Sequence, residues 1–328
     1  MTHSHWDHIG GHSYFRKLNP EVRFYARENY REELERGINS SVRFRFQYFF
    51  GSDFKNDFLI DFKPDTMVAQ RTEVSVGRTR FELIPISGGE TTDGMFIYLL
   101  EHSVLFVGDF IMPYMGAPFL EEGNIPGLFE AIDLVADLNP KHLLHGHEPL
   151  TRIYNSAGLL ANLKKHLAWL YQETLKAIRN GTDRETLHRQ NLIPPLLLQS
   201  PGMQAQPYLV IRENLINRLY DQEIGYWQPD RQGMDHLSEK ELSSVLTYYL
   251  GLSEKQLEKA IKNMVKNGDH ELAARTVTAA LVQYPESKEL ARLRENTFLK
   301  LREKYQEFNP FKFIIYSEVI GHETPQLK

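Results

Sequence analysis

A mixed α/β domain followed by an all-α domain is the architecture this sequence predicts. Three observations lead to it. From Glu21 to Leu150, short β-rich runs alternate with Gly, Pro and Asp punctuation and with two helical stretches. After about Tyr154 the texture changes to long amphipathic helices. At 328 residues the chain is long enough for two domains that bury their cores without covalent staples. The expected domains are 1–154 and 155–328.

Taken in order, Val22 to Ala26 alternates weakly and reads as a short strand, and Glu28 to Arg36 as a helix. Glu73 to Val76 and Thr79 to Ile84 flank Gly77, a hairpin pattern. Met95 to Leu100 and Ser103 to Val107 are apolar runs expected as buried strands. Gly127 to Leu138 reads as a helix. Beyond it, Leu159, Leu160, Leu163, Leu167 and Leu170 recur at helical spacing. Ser238 with Glu241 and Ser253 with Gln256 have the spacing of capping boxes, in which a serine hydroxyl and the side chain three residues on satisfy orphan backbone donors. The stripe Leu257, Ile261, Met264 and Val265 would end at Gly268, and Asp269 would cap the next helix. That helix is expected to turn Leu272, Ala273, Val277, Ala280 and Leu281 inward and to stop at Pro285. Leu290, Leu293 and Leu301 line a further helix, giving a tetratricopeptide-like array of helical hairpins without a clean repeat.

Composition excludes several functions. Net charge is −5, which argues against a nucleic-acid partner held by a phosphate-neutralising surface. The densest apolar run, Leu192 to Leu198, is far shorter than a membrane span and is broken by Pro194 and Pro195. There is no cysteine, so disulfides, thiolate metal sites and cysteine nucleophiles are excluded, and any metal must be held by His, Asp and Glu. The lack of cysteine and of a visible leader favours a reducing, cytoplasmic compartment, although the informative motif starts so early that a true N-terminus is expected to precede it.

That motif is Thr2-His3-Ser4-His5-Trp6-Asp7-His8-Ile9-Gly10-Gly11. In extended backbone, residues i and i+2 face the same way, so His3 and His5 can converge on one ion. A turn at Asp7-His8 would direct the next two ligands to a second ion.

Thr-His-x-His-x-Asp-His-x-x-Gly resembles the signature of the metallo-β-lactamase superfamily. The resemblance implies three further ligands on loops after strands: Glu90 in Gly88-Gly89-Glu90-Thr91-Thr92-Asp93, Asp109 after Leu105-Phe106-Val107-Gly108, and His147 in His145-Gly146-His147-Glu148-Pro149. Glu90 stands where the family usually has histidine, a feature of the alkylsulfatase-like branch. Arg45-x-x-Tyr48-x-x-Gly51 resembles an alkylsulfatase segment, and Asn267 to Ala274 with its helices resembles that branch's dimerisation domain.

The resemblance implies an αββα metallo-β-lactamase sandwich lacking its first strands, then an all-α dimerisation domain. It implies two divalent ions, zinc by default with manganese or iron as alternatives. His3, His5 and Glu90 would hold one ion, and Asp7, His8 and His147 the other, with Asp109 between them. Asp7 and Asp109 would also serve catalysis. The reaction would be hydrolysis of a small-molecule substrate, an alkyl sulfate in this branch, by a homodimer joined through the helical domain.

Two ions contribute +4, and Asp7, Glu90, Asp109 and a bridging hydroxide −4, so an anionic substrate needs additional cations. Residues 110–140 contain no Lys or Arg and offer Asn124 as a polar contact. Arg43, Arg45 and Tyr48 are the expected substrate contacts, beside an aromatic run from Phe44 to Phe58. Other readings on the same fold are an ester, lactone or phosphoester hydrolase and an iron oxidoreductase. A non-catalytic dimerising protein is a further one.

Overall fold

The computed structural model describes residues 1–39, 62–112, 124–199, 205–225, 237–306 and 310–321. The chain forms two compact units. One comprises Met1–Tyr114, Phe119–Gln172 and Ile193–Tyr208; the other comprises Met115–Pro118, Glu173–Leu192 and Leu209–Lys328. The first unit therefore runs past residue 154, where composition changes, and takes in the leucine-rich start of the following helix.

The first unit opens with a single helical turn, α1 (Trp6–Ile9), and then α2 (His12–Leu18). Strand β1 (Tyr25–Arg27) pairs in parallel with β2 (Thr66–Val68), and α3 (Tyr30–Asn39) lies between them in sequence. Ile9, Ala26, Tyr30, Leu34 and Phe62 form one buried cluster that holds α1, β1 and α3 together. A five-stranded sheet follows in spatial order β3 (Thr72–Val76), β4 (Thr79–Pro85), β5 (Met95–Leu99), β6 (Val104–Gly108) and β7 (His142–His145). The hairpin expected around Gly77 is β3–β4, and the two apolar runs expected as strands are β5 and β6.

β3 to β6 are antiparallel, whereas β7 joins β6 in parallel. A parallel neighbour requires a crossover, and α4 (Ile125–Leu138) supplies it. Its buried stripe is Leu128, Ala131, Ile132 and Val135. The helix α6 (Ala157–Arg179) follows the short α5 (Glu148–Ile153). It buries Leu160, Leu163, Leu167 and Leu170, and its Lys164 reaches Asp133 of α4 at 2.5 Å.

This topology gathers three loops at one end of the sheet. β4 ends where β5 begins, and β6 and β7 both run toward that same end. The loops after β4, β6 and β7 carry Glu90, Asp109 and His147. The N-terminal residues join them there, with the Met95 amide donating to the Thr2 carbonyl at 2.7 Å.

The second unit contains α7 (Arg184–Arg189), most of α9 (Ala205–Glu223), which follows the short α8 (Pro195–Gln199), α10 (Glu239–Ser244) and a π-turn at Val245–Tyr249. Then come α11 (Glu254–Asn267), α12 (His270–Gln283), α13 (Lys288–Tyr305) and α14 (Pro310–Val319). Both capping boxes form as expected, at Ser238 and Ser253. Leu257, Ile261, Ala273, Val277, Ala280, Leu290 and Leu293 make the core of three successive helices. Two expectations are corrected. Asp269 occupies the N-cap position without a side-chain cap bond. Leu272 is 55% exposed, because the stripe through Ala273, Val277 and Ala280 already fills the inward face. No helix among the described residues is long and apolar enough to cross a membrane.

Candidate metal centre

Seven side chains converge in two adjoining clusters, His3–His5–Glu90 and Asp7–His8–Asp109–His147; within each, one ligand-type atom per residue lies within 4.8 Å of every other. Local backbone explains the division. His3 and His5 precede the helix, and their rings meet edge-on at 4.6 Å. The expected turn at Asp7-His8 is the helical turn α1, closed by His8 and Ile9 amides donating to the His5 carbonyl. The turn rotates Asp7 and His8 out of the His3/His5 direction.

In the first cluster Glu90 Oε2 lies 3.1 Å from His3 Nε2 and 3.4 Å from His5 Nδ1. His3 and Glu90 are each 3% exposed. Thr2 Oγ1 lies 3.2 Å from His3 Nδ1, so with the proton on that nitrogen Nε2 presents its lone pair to the cluster. In the second, Asp109 Oδ2 lies 2.9 Å from His147 Nε2 and 3.0 Å from His8 Nε2, and Asp7 Oδ2 lies 3.3 Å and 3.5 Å from the same two nitrogens.

Close approach at the second cluster depends on Gly146. A methyl group there would overlap the Asp109 carboxylate and the His8 ring. The Gly146 amide also donates to the Gly108 carbonyl at 3.0 Å, tying the Asp109 and His147 loops together.

Electrostatics follow from carboxylates facing imidazoles. Bonds from Asp109 and Asp7 raise the His147 pKa to about 10, against a smaller opposing effect of burial. Burial works against charge on His8, but Asp109, Asp7 and Glu90 overcome it and raise its pKa. Burial would likewise raise Asp7, Glu90 and Asp109, yet the surrounding histidines hold all three below the ordinary carboxylate range. His145, beside the cluster, differs: burial lowers it to about 4. Its Nε2 donates to the Tyr154 carbonyl at 3.0 Å, and its ring stacks on Phe110.

The donor set fits divalent cations. Four imidazoles and three carboxylates suit zinc, and the carboxylates extend the range to manganese and iron. His3 Nε2, Glu90 Oε2 and Asp109 Oδ1 are buried without a hydrogen-bond partner. Native proteins rarely leave such atoms unsatisfied, and a cation at each cluster would satisfy them.

Arg43, Arg45 and Tyr48, with the aromatic run from Phe44 to Phe58, fall outside the described residues. Asn124 caps α4: its Oδ1 accepts from the Gly127 amide at 2.7 Å and its Nδ2 donates to the Ser87 carbonyl at 3.0 Å. This amide thereby fastens the helix to the Glu90 loop, where Gly88 and Gly127 approach so closely that a methyl on either would strike the other's backbone. Several supporting residues escaped the sequence reading: Thr2, the Gly146 clearance, and the bonds among Asn29, Glu33, Thr91, Thr92 and Asp93. Their pairings are long-range or depend on loop geometry, so spacing carries no signal of them.

Residues 1–180, more than half the chain, match the family model of the metallo-beta-lactamase superfamily, and the protein belongs to that superfamily. Membership implies divalent metal ions. No curated protein matches the chain. Among solved structures, a double mutant of the sec-alkyl sulfatase PisA1 is similar over 98% of this chain and 56% of its own, with TM-score 0.74 and 16% identity. The stereoselective inverting sec-alkylsulfatase Pisa1 from Pseudomonas sp. is similar over 99% of this chain and 56% of its own, with TM-score 0.72 and 17% identity. The chain spans about half the length of these relatives, and at such identity the likeness is one of fold. The expected metallo-β-lactamase fold followed by a helical region is borne out.

Proposed function

We propose that this protein is a metal-dependent hydrolase with two adjacent divalent ions, acting on sulfate esters of alkyl substrates. The observation that carries the reading is Glu90. A buried carboxylate faces His3 and His5 where an imidazole is usual in the superfamily, and the fold likeness to sec-alkylsulfatases extends through the helical unit.

Bound divalent ions supply Lewis acidity and activated water near neutral pH. His3, His5 and Glu90 would hold one, and Asp7, His8 and His147 the other, with Asp109 serving both. Three carboxylates offset most of the ions' charge, so sulfate binding would fall to guanidinium groups, for which Arg43 and Arg45 are the candidates, with Tyr48 and the neighbouring aromatics beside the alkyl chain. Asn124 would add a polar contact through its second amide N–H, since one N–H and its Oδ1 already bond Ser87 and Gly127. The helical unit would join two copies; Tyr248, Tyr249 and Leu250 are its most exposed apolar group among the described residues.

Metal analysis of the full-length protein, combined with sulfate, phosphate, ester and lactone substrates, tests the proposal. The expected result is two equivalents of zinc or manganese and preferential turnover of an alkyl sulfate. Preferential turnover of a neutral ester or lactone would transfer the assignment to another hydrolase. Iron with visible absorbance would transfer it to an oxidoreductase, and a fully loaded protein inert on the whole panel would leave a non-catalytic dimer.

A further inference from the structure

The loop that carries Glu90 is built differently from the loops of Asp109 and His147. It runs from Ile86 to Gly94, and the Ile86 amide closes its neck by donating to the Gly94 carbonyl at 3.0 Å. Inside the loop, the Thr91 hydroxyl donates to Asp93 Oδ1 at 2.7 Å, with both residues buried. Outward, the Thr92 hydroxyl donates to Glu33 Oε1 at 2.5 Å while Asn29 Nδ2 donates to Thr92 Oγ1 at 3.0 Å. Arg27 of β1 grips the neck from the same side, its guanidinium donating to the Ile86 carbonyl at 3.1 Å. Thr92 thus bonds to the start of α3, to Asn29 just ahead of the helix and to Glu33 in its first turn.

These bonds flank Glu90 on its C-terminal side and leave its own carboxylate free to face His3 and His5. A glutamate has three rotatable bonds, so holding its oxygen near two histidine nitrogens requires a fixed backbone. The two hydroxyl anchors immediately following Glu90 provide it. The hydroxyl bonds of Thr91 and Thr92 run to Asp93 and Glu33, and the Asn29 amide bonds Thr92, on the Glu90 side of the centre rather than to Asp7, His8, Asp109 or His147.

We propose that Thr91, Thr92 and Asp93, with Asn29 and Glu33 of the α3 start, are positioning residues that set the Glu90 carboxylate and so determine the affinity of the His3–His5–Glu90 site separately from its neighbour. This inference rests on the two-ion reading above and adds the device by which one ion is held. Groups that orient metal ligands typically change metal affinity by about 10–100-fold when removed.

The test is zinc titration of the metal-free full-length chain against a competing chromophoric chelator. Thr92→Val keeps the shape and removes the hydroxyl. It should weaken one zinc step about 10–100-fold and leave the other within about twofold. The weakened step should be the one abolished by Glu90→Gln. Thr92→Ser restores the hydroxyl and should return affinity to near the unmodified value. If Thr92→Val loses its folded circular dichroism spectrum, Asn29→Ala removes the partner donor from outside the loop and should show the same selective weakening. Unchanged affinity in every folded variant overturns the clasp, and so does equal weakening of both steps, which would mark a general structural role. An unmodified protein that takes up no zinc overturns the metal reading itself, an outcome visible before any variant is compared.

Discussion

His147 Nε2 and Asp109 Oδ2 stand 2.9 Å apart, and this pairing, with Asp7, raises the imidazole pKa to about 10. In the metal-free protein His147 therefore carries a proton at neutral pH. Its folded pKa lies above the ordinary 6.5, so its contribution to stability is complete below about pH 6.5 and is lost as pH rises through about 10. Asp109 is depressed, so its contribution is present above the usual carboxylate pKa and is lost only on strong acidification.

A cation entering the second cluster must displace that proton. Zinc uptake at pH 7 should release at least one proton at that site, and affinity should strengthen about tenfold per pH unit for each proton displaced. Calorimetric titration in buffers of different ionisation enthalpy measures this directly. Uptake without proton release would show that His147 is not displaced by the metal.

Gly146→Ala adds one methyl where the Asp109 carboxylate and the His8 ring already lie in contact. Overpacking of this kind costs about 1–3 kcal/mol. The metal-free variant should melt lower and bind less metal at the Asp7–His8–Asp109–His147 cluster. Wild-type metal content and wild-type melting together would mean that the loop relaxes freely.

Four of the ligand-type residues carry a local mark: His3, His5, Asp7 and His8 fall within six residues. Glu90, Asp109 and His147, each directly after a glycine, came from the family resemblance that this local motif carries. The β3–β4 hairpin and the capping boxes are likewise marked locally. Thr92 and Glu33, 59 residues apart, carry no comparable mark, because their bond exists only once α3 and the Glu90 loop meet. Leu272 was misread because helical periodicity identifies an apolar stripe but does not say how wide a stripe the neighbouring helices can cover.

His145 tests a different consequence of burial. Its pKa is lowered to about 4 from 6.5, so acidification below about pH 6.5 favours the unfolded chain, which binds the proton more readily. Between pH 6.5 and 5 the loss stays below about 2 kcal/mol, since the slope reaches 1.36 kcal/mol per unit only once the unfolded imidazole is fully protonated. His145→Gln keeps a donor for the Tyr154 carbonyl and removes the titration. Urea denaturation of metal-free protein at the two pH values should show the smaller acid loss in the variant, and parallel losses would refute this source of acid sensitivity.

The two clusters differ in access. His3 and Glu90 side chains are 4% and 3% exposed, whereas Asp7 and His147 are 30% and 38% exposed. A chelator should therefore strip bound metal in two phases, the fast one from the open cluster. Asp7→Ala should remove the fast phase and Glu90→Gln the slow one. A single phase in the unmodified protein would contradict the asymmetry.

Arg45→Ala bears on substrate class. If two divalent ions and a hydroxide are held by Asp7, Glu90 and Asp109 as proposed, their charges would cancel and the centre would give little net attraction to an anion, while residues 110–140 supply no Lys or Arg. A guanidinium on a sulfate oxygen forms a charge-assisted hydrogen bond, and its loss costs roughly 1.5–3 kcal/mol of binding. At about 1.4 kcal/mol per decade, this corresponds to roughly 10–150-fold in KM where the contact serves binding alone. Steady-state kinetics of Arg45→Ala should therefore show a KM for an alkyl sulfate raised by that factor, with a neutral ester of similar size nearly unaffected. Equal losses on both substrates would give Arg45 a structural role and remove the main cationic candidate for sulfate recognition.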